Sequence, residues 1–152
     1  MTEKLPKIHI CTPDEIEGQR TACRLASELL DYITPFVKPG VTTAEIDKLV
    51  HDYTIDVQKC TPADLGYPNA QGVPFPASCC ISVNNVVCHG IPSGKKLKNG
   101  DIVNIDVTNI WEGFYGDTSR MFVIGKPSIA GARLSRITYE CMWRGIEAVK
   151  PG

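Results

Sequence analysis

Residues Asn104 to Ser119 have the sequence NIDVTNIWEGFYGDTS, and this stretch decides the fold. From Ile102 onward apolar and polar side chains alternate, a pattern typical of a β-strand with one buried face. Gly113 suits a short hairpin turn, and a return strand is predicted from Phe114 to Ile124. The stretch therefore predicts a β-hairpin with two different faces. The apolar face would carry Val103, Ile105 and Val107, and the polar face Asn104, Asp106, Thr108, Asp117 and Ser119.

The polar face of this hairpin carries one aspartate on each strand. If the turn centres on Trp111 and Glu112, Asp106 lies directly across from Asp117, and like charges about 5 Å apart repel each other. The neighbours on that face are Asn, Thr and Ser, so a divalent cation is the best candidate to lie between the carboxylates. The alternative is that one aspartate faces solvent while the other caps a turn. A three-residue loop would also remove the direct opposition.

The composition is that of one globular domain. The chain has 152 residues, of which 43% are apolar and 22% charged, unlike a disordered or membrane protein. A net charge of −1 without a basic run argues against direct nucleic-acid binding. Residues 1–10 lack the apolar core of a signal peptide and no segment is long enough to span a membrane, so a cytoplasmic protein is expected.

Cysteine usage agrees with that expectation. The seven cysteines form no C-x-x-C pair, so the sequence predicts neither a disulfide framework nor a structural zinc site. Cys79 and Cys80 lie in an apolar run and are expected to be small buried side chains.

Three helices are predicted from their start signals. Thr12 and Thr42 each begin a capping box with a Glu three residues later, and Ser128 is the N-cap of a third helix that runs to Val149. The first helix would stop at Lys38-Pro39-Gly40. The inward faces would be Ile16, Cys23, Ala26, Leu30, Ile33 and Val37 in the first helix, and Ile46, Leu49, Val50, Tyr53 and Val57 in the second.

A segment rich in proline and glycine, Thr61 to Ser78, precedes a predicted strand over Cys79 to Val83. Loops of this length in a compact domain are commonly pocket walls or lids, and the alternative is that this one only wraps the core. A further short strand is predicted over Val86 to Cys88, with His89 directly after it. A histidine there either faces a cleft or is a structural residue with a satisfied partner.

The chain repeats one helix ending. Val37-Lys38-Pro39-Gly40 matches Val149-Lys150-Pro151-Gly152, and the first copy continues into a capped helix and strands while nothing follows the second. We therefore expect one domain over 1–152, incomplete at its C-terminus. It would consist of a first half-unit over 12–125 and the opening helix of a second over 126–152.

Four segments resemble type I methionine aminopeptidases, which belong to the pita-bread fold family. They are VKPGVTTAEID (Val37 to Asp47), SVNNVVCHGIP (Ser82 to Pro92), NGDIVNIDVT (Asn99 to Thr108) and GFYGDTSRMFVIGKP (Gly113 to Pro127). The resemblance extends over essentially the whole chain from Thr12. It implies an α+β pita-bread fold, with an antiparallel sheet and helices on one face, of which this chain would hold about the first half.

For function, the resemblance implies a metallohydrolase that removes the initiator methionine from nascent polypeptides, using two divalent metal ions held by five protein ligands. The first two ligands fall on Asp106 and Asp117, and the family's catalytic, substrate-contacting histidine falls on His89. Tyr67 and Cys80 match the walls of the methionine pocket. Phe75 lies where an aromatic residue is expected. Mn, Fe, Co or Zn would suit such a site.

The chain departs from the family pattern at three places. Asp64 stands where a small pocket residue, often Cys, is expected, and Pro68 to Pro74 is longer than the usual link. The family's third to fifth metal ligands, a His and two Glu, belong to the second half of the fold and have no counterpart in this sequence. The 152-residue chain alone is therefore expected to be inactive.

The resemblance also implies partners. These are nascent polypeptide N-termini, with the ribosome as a further candidate, no direct nucleic-acid contact, no membrane, and a complete protein that is a monomer. Two other functions stay open from the sequence. One is a non-catalytic pita-bread binding module, and the other is an X-Pro-specific pita-bread peptidase.

Overall fold

The computed structural model describes residues 8–151. The expectation about a signal peptide rests mainly on residues 1–7, and these, like Gly152 of the repeated helix ending, lie outside the described residues. The elements in chain order are α1 (Pro13–Ile33), α2 (Thr43–Asp52), β1 (Thr61–Pro62), β2 (Cys80–Val83), β3 (Ile102–Trp111), β4 (Phe114–Val123) and α3 (Ile129–Ala148).

The four strands form one antiparallel sheet with β3 at its centre. Along one edge of β3, β4 pairs over the full length of the strand. Along the other edge, β2 pairs with residues 103–106 and the short β1 with residues 109–110. Asp106, on the polar face of β3, is therefore flanked by β2 on one side and by β4 on the other.

The hairpin turn consists of Glu112 and Gly113, whose φ angles of 49° and 87° are both positive. Such two-residue turns match the twist of the flanking strands, and glycine adopts a positive φ without strain. Because this turn lies one residue later than the one assumed above, Asp106 pairs with Ser119, and Asp117 pairs with Thr108. The predicted direct opposition of the two aspartates is therefore wrong. They are diagonal neighbours on the same face of the sheet.

The strict alternation of β3 is confirmed by burial. Val103, Ile105 and Val107 are 0% exposed, whereas Asn104, Asp106 and Thr108 on the opposite face are partly exposed. Helices α1 and α2 cover the apolar face, so the predicted antiparallel sheet with helices on one face is correct. The core of buried residues consists of Ala26, Leu29, Leu30, Ile33, Ile46, Val50, Cys79, Ile81, Val83, Leu97, Val103, Ile105, Val107, Phe122 and Ile124.

All three predicted helix starts are confirmed. Both capping boxes are formed, with the Thr12 and Thr42 hydroxyls accepting from the Glu15 and Glu45 backbone N–H groups, and the Ser128 hydroxyl accepts from Gly131. α1 ends at Ile33, before Lys38, and continues as a 3₁₀ turn that contains proline. No helix within residues 8–151 is both long and apolar enough to cross a membrane.

The predicted inward faces are partly wrong, since Ile16, Cys23 and Val57 are exposed. The buried stripe of α1 instead begins with Gly18 and Ala22. Gly116 of β4 explains this rotation, because a Cβ atom there would collide with the backbone carbonyl of Ala22. Helix and strand approach so closely that only small residues fit between them. The third helix differs, since none of its residues is buried.

Two loop predictions have different outcomes. The segment after β1 is irregular up to β2, as predicted, and forms a small ribbon in which Pro68 bridges to Pro74. The strand predicted over Val86 to Cys88 is not formed, and these residues are exposed. The reason is that the backbone of Gly90, not that of residues 86–88, accepts the Ile81 N–H at 2.8 Å beside β2.

Candidate metal and active site

The polar face of the sheet forms the floor of a cavity of about 1120 Å³. Asp106 and Thr108 of β3, Asp117 of β4 and Cys80 of β2 contribute to this floor. The loop over residues 63–76 forms the walls, together with His89 and Ile91. The cavity therefore contains every site residue predicted from the sequence, which are His89, Asp106, Asp117, Tyr67 and Cys80.

Asp106 lies at the centre of the cavity floor, between Cys80 on one neighbouring strand and Ser119 on the other. Burial raises the pKa of the Asp106 carboxyl, the negative charge of Asp117 raises it further, and His89 opposes the shift. Asp117 is exposed and lies across from Thr108. The charge of Asp117 thus acts on the Asp106 carboxyl although the two residues are not directly opposed.

Asp64 lines the cavity, as its pocket position in the family pattern predicts, and it lies within the influence of both aspartates, which the sequence does not indicate. Burial raises the pKa of its carboxyl to about 6, with further contributions from the charges of Asp106 and Asp117. The Cys80 thiol lies 3.8 Å from Asp64 Oδ1, while Asp64 Oδ2 is buried and has no hydrogen-bond partner. The signal available in the sequence is that Asp64 is the one charged residue of the proline-rich loop over residues 61–78. Its neighbours on the sheet depend on tertiary structure.

His89 stands at the edge of the cavity on a constrained backbone. Its φ is 53°, which is uncommon for a residue with a side chain. The next residue, Gly90, accepts from the Ile81 N–H at 2.8 Å and donates to the Ser82 hydroxyl at 3.1 Å. A Cβ at Gly90 would collide with the Ile81 carbonyl. The segment is therefore anchored to β2, and the exposed His89 lines the cavity, as the cleft alternative predicts.

The cavity wall is a ribbon built around Tyr67 and Phe75. The Phe75 N–H donates to the Tyr67 carbonyl at 2.7 Å, and the Gly66 N–H donates to the Phe75 carbonyl at 2.9 Å. At the tip, Asn69 Oδ1 accepts from the Gln71 and Val73 N–H groups, both at 2.9 Å. The longer Pro68 to Pro74 link is therefore an ordered extension of the wall.

The base of the wall is tied to α2. Asp47 Oδ1 accepts from the Ser78 N–H at 2.8 Å and from the Cys79 N–H at 3.1 Å, directly before β2. His51 Nδ1 is 2.7 Å from the Ser78 hydroxyl. These contacts position Cys80, which is buried with Cys79 as predicted.

The donor set of the cavity fits divalent cations. Within the described residues, three carboxylates and one imidazole line it, and no Lys or Arg is among its lining residues. Within residues 8–151, the one trio of His, Cys, Asp or Glu with all ligand atoms within 4.8 Å is His9, Cys11 and Glu15, near the start of α1. The ligand atoms of the three cavity carboxylates therefore do not all lie within 4.8 Å of one another.

This combination of fold and site defines a class of protein. An antiparallel sheet with helices on one face and a carboxylate-lined cavity on the other is the arrangement expected of a metal-dependent pita-bread hydrolase. Residues 17–152 match the family model of metallopeptidase family M24. The chain therefore belongs to metallopeptidase family M24, whose members use divalent metal.

Individual relatives narrow the resemblance to methionine aminopeptidases. The methionine aminopeptidase of Escherichia coli strain K12 is 54% identical over 146 residues, which cover 95% of this chain and 53% of that relative. A crystal structure of methionine aminopeptidase from Rickettsia prowazekii superimposes with a TM-score of 0.89 at 51% identity, covering 96% of this chain and 56% of that chain. The predicted resemblance is confirmed. The chain spans about half the length of the curated relatives it matches.

More distant structures share only the fold. The prolidase from Pyrococcus furiosus has a TM-score of 0.75 at 24% identity, covering 93% of this chain and 39% of that chain. This likeness confirms the pita-bread fold and does not favour X-Pro specificity.

Proposed function

We propose that this chain is part of an enzyme that removes the N-terminal initiator methionine from newly made polypeptides by two-metal hydrolysis. The observation that carries this proposal is the presence of Asp106 and Asp117 on the floor of one cavity that no Lys or Arg from residues 8–151 lines. The high identity to proteins named methionine aminopeptidase supports the choice of substrate. A cytoplasmic location, a monomeric protein and an encounter with nascent chains at the ribosome remain predictions within this proposal.

Asp106 and Asp117 would hold the metal ions, with Mn, Fe, Co or Zn as candidates. Carboxylates suit this task because they are hard anionic ligands, and their placement on paired strands leaves them little freedom. Bound divalent ions supply the positive charge that polarises a carbonyl group and lowers the pKa of water. The raised pKa of Asp106 describes a carboxylate whose negative charge a cation would relieve.

The other cavity residues would orient the substrate. His89 would donate a hydrogen bond to the scissile amide as charge develops in the transition state. The anchored backbone at Gly90 limits the movement of His89, which favours a defined geometry at the reacting bond. Tyr67 and Cys80 would contact the methionine side chain, with Phe75 as an additional aromatic contact in the same wall.

A chimeric enzyme tests the proposal directly. Residues 1–152 replace the matching part of the E. coli relative, and release of methionine from a Met-Ala-Ser peptide is measured with Mn²⁺ or Co²⁺. We expect activity in the chimera and loss of activity together with lowered metal content in Asp106→Asn and Asp117→Asn. His89→Ala should lower kcat by about 10²–10⁴ while metal content stays unchanged. Asp56→Asn, which changes an exposed aspartate outside the cavity, is the matched control.

Each alternative function has its own outcome in this experiment. Cleavage of X-Pro substrates in preference to Met-Ala would point to an X-Pro peptidase. Stoichiometric metal binding without any peptide cleavage would point to a binding module. Full activity in Asp106→Asn would contradict the proposed site. Separately, methionine release by the 152-residue chain alone would contradict the expectation that the chain is inactive without the rest of the fold.

A further inference from the structure

Asp64 is a polar residue of the cavity whose carboxylate is not fully hydrogen-bonded. Its Oδ2 atom is buried, and no hydrogen-bond partner lies within reach among residues 8–151. A buried carboxylate oxygen without a partner is costly, since it has lost water and gained nothing in exchange. Such an atom calls for an explanation.

The surroundings of Asp64 make this cost larger. The charges of Asp106 and Asp117 act on the Asp64 carboxylate in the unfavourable direction. Among residues 8–151, its side-chain donor is the weak Cys80 thiol, 3.8 Å from Oδ1. A hydrogen bond from the Thr108 backbone offsets part of the rise in its pKa. The cavity brings three carboxyl groups together, and none of its lining residues in the described part of the chain is Arg or Lys. A ligand with positive charge would relieve the repulsion among these groups.

The carboxylate is held by the fold, so its position is not an accident of a mobile loop. Directly before it, the Ala63 N–H donates to the Thr108 carbonyl at 2.8 Å, which attaches the chain to β3 beside the cavity floor. On the other side, the Tyr67 N–H donates to the Asp64 carbonyl at 3.0 Å and forms a turn. Asp64 is therefore fixed between the wall and the floor.

We propose that Asp64 is a positioning residue of the metal site, whose negative charge strengthens divalent cation binding at Asp106 and Asp117. This inference rests on the proposed function, because it assumes that those two aspartates hold the cations. Asp64 would act through the field of the cavity and not necessarily as a direct ligand, since the three carboxylates do not surround one point. Negative charge in a partly buried site raises cation affinity because water screens it only weakly.

Binding of Mn²⁺ alone tests this role without reference to catalysis. The chimera described under Proposed function, which carries residues 1–152, is titrated with Mn²⁺ by isothermal calorimetry, and free Mn²⁺ is followed in parallel by electron paramagnetic resonance. We expect Asp64→Asn to weaken the Kd for Mn²⁺ at least about tenfold, the loss typical of an outer-shell partner. Asp64→Glu, which keeps the charge, should retain most of the affinity. Asp56→Asn removes the same charge from an exposed position and should leave the Kd unchanged.

Further measurements distinguish an unfolded variant, a wrong role for Asp64 and a wrong proposed function. Thermal unfolding of Asp64→Asn in EDTA verifies that the variant is folded, and we expect it to be at least as stable as wild type. Equal Mn²⁺ affinity in Asp64→Asn and wild type would overturn the role of Asp64 alone. Mn²⁺ binding that is absent from the chimera, or unaffected there by Asp106→Asn, would overturn both this inference and the proposed function.

Discussion

The two faces of strand β3 differ in burial and in charge, although their residues alternate along the same strand. On the inner face, Val103, Ile105 and Val107 are fully buried against α1 and α2. On the outer face, Asp106 and Thr108 line the cavity, and Asp106 lies near other carboxylates that repel it. The inner face stabilises the fold, whereas the outer face carries charges that are unfavourable in the absence of a cation.

The burial of the inner face explains how the strand can hold carboxylates that repel each other on its outer face. Burying each aliphatic side chain of the inner face contributes about 1.5–3 kcal/mol, and this gain holds the backbone of the outer face in place. The carboxylates therefore need not stabilise the strand that presents them. Substitutions on each face test whether the inner face determines stability while the outer face does not.

The largest effect is expected from truncating the inner face. Ile105→Ala removes a side chain that is 0% exposed and should lower the free energy of unfolding by about 2–5 kcal/mol. Its neighbour on the outer face, Asp106→Asn, should leave the metal-free chain as stable as wild type or slightly more stable, because a repelled charge is lost. Urea unfolding in EDTA measures both. An equal loss in the two variants would contradict the separation.

The close approach of α1 to the inner face of β4 should give the next largest effect. Gly116→Ala places a methyl group against the Ala22 carbonyl and should cost about 1–3 kcal/mol or more, because helix and strand must move apart. Gly145→Ala is the matched control, since nothing lies near a Cβ at that position in α3. The control should stabilise α3 by up to about 1 kcal/mol. Thermal unfolding distinguishes them, and a neutral Gly116→Ala would refute the close contact.

The outer face should make the stability of the metal-free chain depend on pH. The pKa of Asp64 rises from 3.8 in the unfolded chain to about 6 in the folded chain, so the folded chain binds more protons between these values. Its contribution to stability therefore falls as pH rises from about 4 to about 6 and stays low above that. The loss should be about 1–2 kcal/mol, since the group is only half-buried.

Asp64→Asn isolates this contribution from the other carboxylates. In EDTA, the variant should gain stability relative to wild type as pH rises from 4 to 7, and the difference should shrink when Mn²⁺ is added. Urea unfolding at several pH values measures the difference between the two proteins. A difference that stays constant with pH would show that Asp64 titrates normally.

The smallest effect concerns the solvent-exposed margin of the inner face. Arg120 of β4 lies on that side, with its Nη2 atom 2.8 Å from Asp31 Oδ1 of α1 and its Nη1 atom 3.1 Å from the Thr34 hydroxyl. Because the pair is exposed, Asp31→Asn should cost only about 0.2–1 kcal/mol, and less in high salt. Thermal unfolding at low and high salt measures it. A larger, salt-independent loss would mean that the pair acts as part of the core.

Much of the scaffold could be predicted because its signals are local. The capping boxes at Thr12 and Thr42 and the alternation of β3 depend on residues only a few positions apart. The register of the hairpin could not be predicted as safely, since it depends on which two residues adopt positive φ. Placing the turn one residue too early moved Asp106 from its true partner Ser119 to Asp117.

The motifs predict His89, Asp106 and Asp117 as site residues, and the structure places all three in the lining of one cavity. Their roles stay predictions. The strand predicted before His89 is not formed, because the hydrogen bonds of Gly90 to β2 organise that loop from a distance. Similarly, the stripe that α1 buries is set by its close approach to Gly116, which no periodicity within the helix reveals.

The hairpin with its two faces and the starts of the helices follow from near neighbours along the chain, whereas the roles predicted for His89, Tyr67 and Cys80 rest on the family resemblance. The resemblance also places Asp64 at a pocket position. That its carboxyl lies close enough to Asp106 and Asp117 to be affected by their charges is a result of the tertiary structure. The physical reason is that charge repulsion and burial act through space, between residues more than forty positions apart in the chain.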